Sequence, residues 1–138
     1  MSAHRLSTPR EAEAAFYAAF ISHDLEAMMA VWADDEAIAC IHPLGEAHTG
    51  RAAVRRSWQA VFHNSSPMKF MVEERQQMED AGLAVHVVHE HIRVKNEPAR
   101  VPVIATNAYR LTPTGWRMVL HHASPAPVPK KSVPETLH

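Results

Sequence analysis

The chain changes its hydrophobic period near residue 67, and this change constrains the fold more than any other feature. Before it, apolar residues recur at helical spacing; after it, long runs of loose alternation are separated by short turn signals. Met68 to Glu79 is followed by Asp80-Ala81-Gly82, and Leu83 to Lys95 by Asn96-Glu97-Pro98. Arg100 to Thr112 is followed by Pro113-Thr114-Gly115, and Trp116 to Ser124 completes the series. Neighbouring strands joined by such short turns run antiparallel, because a parallel pair needs a long crossover.

The first half supplies the partner layer. Thr8-Pro9-Arg10-Glu11 combines a capping hydroxyl, a proline at the first helical position and a glutamate three residues after the cap. Ala12, Phe16, Ala19 and Phe20 then share one helical face. Asp24 caps a short second helix, Leu25 to Trp32, in which Leu25, Met28, Met29 and Trp32 align. Glu36 to His42 reads as a strand, ended by Pro43-Leu44-Gly45. A polar loop then leads to Thr49-Gly50 and a third helix of about Arg51 to Phe62. The class is α+β: three N-terminal helices packed on a curved antiparallel sheet.

One domain is expected for 138 residues, of which 46% are apolar and 21% charged. The boundaries predicted are a disordered lead over 1–7, the domain over 8–125, and an extended or disordered proline-rich tail over 126–138. Fourteen basic against fifteen acidic residues leave no single-sign field for nucleic acid or an anionic membrane. No stretch is apolar enough to span a membrane and no signal pattern opens the chain, so a cytoplasmic location is expected. Cys40 is the only cysteine, which excludes an intrachain disulfide and a thiolate-based metal site; its apolar surroundings point to core packing.

The element order and several short runs resemble the SnoaL-like members of the nuclear transport factor 2-like superfamily. His23-Asp24-Leu25-Glu26-Ala27-Met28, then Trp32-Ala33-Asp34-Asp35, is similar to a run shared by SnoaL-like proteins and ketosteroid isomerases. His42-Pro43-Leu44-Gly45, with Thr49-Gly50 and the helix to Trp58, is similar to a second. Gly115-Trp116 through His121-His122-Ala123-Ser124-Pro125 resembles the closing strand of SnoaL-like proteins and of the calcium/calmodulin-dependent kinase association domain. The resemblance implies a cystatin-like cone open at one end. It does not fix an activity, because this fold hosts isomerases, dehydratases, hydrolases and assembly modules.

Carried over residue by residue, the resemblance puts His42 where ketosteroid isomerases have their general base. Phe16 stands where they have an oxyanion tyrosine, with Tyr17 turned about 100° round the helix, and Asn107 falls near their protonated acid. A steroid-isomerase mechanism of the usual kind is therefore not expected. Eleven histidines are the compositional anomaly, and five crowd into two strands: His86, His89 and His91, then His121 and His122. Neither face of the Leu83–Lys95 run is distinctly more apolar. The resemblance points Val87, His89 and His91 into the cone, with Asn107, Tyr109 and His121 from the next strands.

The candidate catalytic residues are thus His42, Asn107 and His121, and the candidate ligand-binding residues are Phe16, Tyr17, Trp32, Trp58, His89, His91 and Tyr109. The leading expectation is a small organic ligand in a mostly apolar, histidine-lined pocket. The first alternative is an isomerase, dehydratase or cyclase-type enzyme with His42 as general acid or base. The second is a structural homo-oligomerisation module. A divalent metal on His89, His91 and a third histidine finds no acidic residue expected on that face, so neither a metal nor any other cofactor is expected. Glu90, with Arg110 or His122, is expected on the outer sheet face. That convex face needs cover, and a two-fold homodimer through it is the partner arrangement expected.

Overall fold

The computed structural model describes residues 5–128, and the expected disordered lead over 1–4 and extended or disordered tail over 129–138 lie outside that span. Helix α1 (Pro9–Ser22) starts as its sequence specifies: the Thr8 hydroxyl accepts from the Glu11 amide at 3.1 Å. The Glu11 carboxylate accepts in turn from the Ser7 amide at 2.7 Å. The helix stops at His23, whose left-handed backbone (φ 54°) lets its N–H and that of Asp24 cap the last carbonyls. Asp24 then caps α2 (Leu25–Val31) through the Ala27 amide at 3.0 Å. One helix therefore ends and the next begins within two residues.

Strands β1 (Ala39–Ile41) and β2 (Ala47–Thr49) form a small hairpin ahead of helix α3 (Arg51–Asn64). Arg51 fixes how α3 enters, donating to the carbonyl oxygens of Met29 (2.9 Å) and Ala33 (3.0 Å) where α2 ends. The long strands follow: β3 (Met68–Asp80), β4 (Leu83–Val94), β5 (Val103–Thr112) and β6 (Gly115–Pro125). The sheet order is β2-β1-β6-β5-β4-β3, which confirms the α+β class, three helices on one curved sheet. Bulges between Glu74 and Gln76 and between Ala108 and Tyr109 bend it.

Two features depart from the sequence expectation. β2 falls where the sequence predicts a polar loop, because a three-residue strand is too short to carry a periodic signal. The sheet is also mixed rather than wholly antiparallel, because β1 pairs with β6 in parallel. That pairing sets Cys40 beside His121, while β6 and β5 set His121 beside Asn107, and β5 and β4 set Asn107 beside His86. Residues opposite one another share a face, so these four form a row across the inner surface under the helices.

The core lies between that inner surface and the helices. Phe16, Phe20 and Trp58 meet edge to face at centroid distances of 4.9 to 6.0 Å. Leu6, expected in a disordered lead, is buried and runs parallel to Gly115, with its carbonyl accepting from the Trp116 amide at 2.8 Å. Among the described residues no helix is long and apolar enough to cross a membrane.

Candidate functional site

The inner row carries a continuous chain of hydrogen bonds. His121 Nδ1 lies 2.6 Å from Asn107 Oδ1; Asn107 Nδ2 donates to the Tyr17 hydroxyl at 2.9 Å; that hydroxyl donates to Glu90 Oε2 at 2.6 Å. With Asn107 oriented this way, Nδ1 of His121 holds the proton and its Nε2 keeps a lone pair. Every donor in the chain points towards Glu90. All four side chains are at most 5% exposed, so each bond is made in a medium that strengthens it.

Burial sets the charge states. Desolvation drives the Glu90 carboxyl up to about 7, against the hydrogen bond from Tyr17, which pulls it down. Desolvation lowers His121 to about 3, with small contributions from His42 and His122. His42 is lowered to about 4, by burial and then by His48. Both imidazoles are therefore neutral at neutral pH, while Glu90 sits close to half-ionised. Cys40 is pushed up to about 12 by burial, so it packs as a thiol.

His42 follows β1 and reaches Ser57 of α3, with 3.0 Å between Nε2 and the hydroxyl oxygen. Ser57 spends its own proton on the Val54 carbonyl at 2.7 Å. In the tautomer that matches this, His42 Nε2–H donates to Ser57, with Cys40 Sγ 3.6 Å from the same nitrogen, and Nδ1 keeps the lone pair. Trp58 stands edge-on to His42, with centroids 4.7 Å apart. His42, His121 and Glu90 line one cavity of about 230 Å³, walled by Phe20, Val61, Ile92 and Val103, with Ser65 and Arg100 also on its lining. The size falls between a benzene-sized void of roughly 150 Å³ and the roughly 300 Å³ at which drug-sized pockets begin.

The residues expected from sequence divide into three groups. His42 and His121 reach the cavity, and Asn107 and Tyr17 stand behind it, joining His121 to Glu90. Phe16 and Trp58 pack against His121 at 5.0 and 5.7 Å. Trp32 and Tyr109 are buried elsewhere: Trp32 bridges Met118, and Tyr109 packs on His86 at 5.1 Å.

His89 and His91 are misplaced by the sequence reading, and the error covers all of β4. Its inner face carries Ala84, His86, Val88 and Glu90, which are buried; His89 and His91 lie on the outer face. Glu90 is correspondingly inside, bonded to Tyr17 rather than to Arg110 or His122, and Arg110 pairs with Asp35 at 2.9 Å. The outer face also does carry an acid. Glu73 of β3 lies opposite His89, with its Oε1 2.9 Å from His91 Nε2. The Ala81-Gly82 turn fixes the register, pairing Asp80 with Leu83, but not which face of β4 turns inward.

Comparison with known proteins is consistent with this architecture. A family model described as SnoaL-like domain matches residues 10–129. A protein from Thiobacillus denitrificans, assigned as a calcium/calmodulin-dependent protein kinase type II association domain, superposes with a TM-score of 0.87 at 44% identity. That match covers 89% of this chain and 98% of the other. A protein from Streptomyces avermitilis, assigned as a dehydratase of the NTF2-like family, has a TM-score of 0.75 at 30% identity, over 85% and 92% of the two chains. A ketosteroid isomerase-like protein from Erwinia carotovora atroseptica shares the fold at 17% identity, with a TM-score of 0.66 and coverage of 86% and 94%. The F-box protein SKIP8 of Arabidopsis thaliana is 27% identical over 79% of this chain, which spans about half of that relative's length (46%).

Proposed function

Because this chain belongs to the SnoaL-like domain family, whose fold serves binding, catalysis and assembly alike, we propose a function for it from the contents of its cone. It binds a small, largely apolar alcohol in the cavity at Glu90 and removes water from it, a dehydratase-type reaction. The observation that carries this reading is a buried carboxyl poised at about 7 in the same cavity wall as two neutral imidazoles. The carboxyl can keep a proton to give while both imidazoles keep a lone pair to receive one, the starting states that acid–base catalysis needs.

The hydrogen-bond inventory supports the substrate class. His42 Nε2–H is committed to Ser57, His121 Nδ1–H to Asn107, and the Ser65 hydroxyl to the Val61 carbonyl. Each of these groups has only lone pairs left to offer. The lone pairs of these three groups select a ligand that donates, and a hydroxyl does so, while Arg100 and protonated Glu90 on the same lining face it as donors. In the reaction, protonated Glu90 gives its proton to the departing hydroxyl. An imidazole lone pair takes the proton from the neighbouring carbon, the C–O and C–H bonds break, a C=C bond forms and water leaves. Tyr17 and Asn107 hold the Glu90 carboxyl in place and set its proton affinity.

The test is a thermal-shift panel of small cyclic and aromatic secondary alcohols, followed by ultraviolet detection of the alkene for those that bind. Glu90→Gln should keep binding and lower turnover at least about a hundredfold. Turnover should fall as pH rises through about 7, where the acid loses its proton. A rate that climbs through that range, or that survives Glu90→Gln, would sink the assignment. A second copy of the chain, in this proposal, covers the convex face of the sheet.

A further inference from the structure

The outer-face trio is the strongest feature the cavity does not use. Glu73, His89 and His91 place one ligand atom each within 4.8 Å of the others. Glu73 Oε1 is 2.9 Å from His91 Nε2 and 3.9 Å from His89 Nδ1. In a tetrahedral site with bonds of about 2.0–2.1 Å, neighbouring ligand atoms stand roughly 3.4 Å apart, between those two separations. We propose that Glu73, His89 and His91 form a zinc(II) site on the convex face of the sheet.

The backbone explains why the three converge. His89 and His91 are two apart on β4, so both project from one face, and Glu73 is the cross-strand partner of His89. Two imidazoles and one carboxylate, with a remaining position open, suit a divalent first-row ion. Arg75 donates to Glu73 Oε2 at 2.9 Å, which orients the carboxylate and leaves Oε1 turned to the histidines. This is the supporting contact that ligating carboxylates usually have.

Access favours the site as well. In the single chain the three side chains are between a quarter and a half exposed, and β3 is the edge strand, so an ion reaches them there without opening the core. His91 also borders a groove of about 310 Å³ with Lys69, Met71 and Arg93. The open position therefore has room for water or a small anion. The other acid–histidine trio, Glu13, Glu74 and His86, is different in kind. There the histidine is buried, with His86 only 3% exposed.

Titration of the full chain with Zn²⁺ against a chromophoric chelator tests the site. The expected result is one tight equivalent per chain, with affinity lowered at least about tenfold by either Glu73→Gln or His91→Gln. Glu74→Gln and His63→Gln should leave it unchanged, and circular dichroism should show all four variants folded. Failure of the native chain to compete with the chelator would overturn the proposal. So would an affinity that survives both outer-face substitutions, or one that is lost with Glu74→Gln instead.

Discussion

A buried carboxyl poised at about 7 has consequences for stability as well as reactivity. Glu90 moves from about 4.5 in the unfolded chain to about 7 in the fold, so between those values the native state holds a proton that the unfolded state has released. Its contribution is complete below pH 4.5 and is lost as pH rises through 7. Glu90→Gln should therefore gain about 2 to 3 kcal/mol relative to the native chain between pH 5 and pH 8, read from denaturant midpoints. A flat difference across that range would refute the assigned charge state. Tyr17→Phe tests the same group from the other side. Without the Tyr17 hydrogen bond the Glu90 titration should move up by about one unit, visible by carbon NMR of labelled glutamate. The loss of a partner for buried Asn107 Nδ2 should cost about 1 to 3 kcal/mol. His42 and His121 were legible as residues of the cavity wall because motif and strand position placed them. Glu90 was not, because an acid is among the residues least often buried.

Among the elements, β4 was the hard case, for a definable reason. Val85 and Val87 on one face are as apolar as Ala84 and Val88 on the other, and both faces carry histidine. Alternation therefore could not choose, and a shift of one residue exchanges the faces completely. The helices were legible because their caps are local chemistry: Thr8 and Asp24 bond amides three residues on. The pairing of the chain's lead with β6 had no such signal, since Leu6 is one apolar residue in a polar stretch. It has a sharp test at Gly115, whose φ is +111° and where an added Cβ would lie 2.5 Å from the Leu6 carbonyl oxygen. Gly115→Ala should cost about 2 to 4 kcal/mol from backbone strain plus the displaced strand. Gly82→Ala, with nothing within 4 Å, should stay within about 0.5 kcal/mol. Equal unfolding midpoints for the two variants would contradict this account.

At the scale of the whole molecule, the sheet has two apolar faces and the helices cover only one. Ile41, Val85, Val87, Ile104 and Leu120 form the centre of the outer face and are half-buried within a single chain. A second copy over this patch would withdraw on the order of 800 Å² from each partner. Sedimentation at micromolar concentration should give a dimer, and Val87→Arg should give a folded monomer; a native chain that sediments as a monomer excludes this arrangement. The general α+β plan was legible because long strands with short turns admit few topologies. The return of β1 to β6 was not, because three residues of strand carry no record of their distant partner. That parallel pairing also dictates a chronology. The β3–β4 and β5–β6 hairpins close over turns of a few residues, whereas Cys40 meets His121 only after most of the chain has been gathered in. A ribosome-bound chain that has not yet released its last strand would hold His42 and Glu90 with no third wall between them. The cavity is then the final part of the molecule to form, and its closure marks the end of folding.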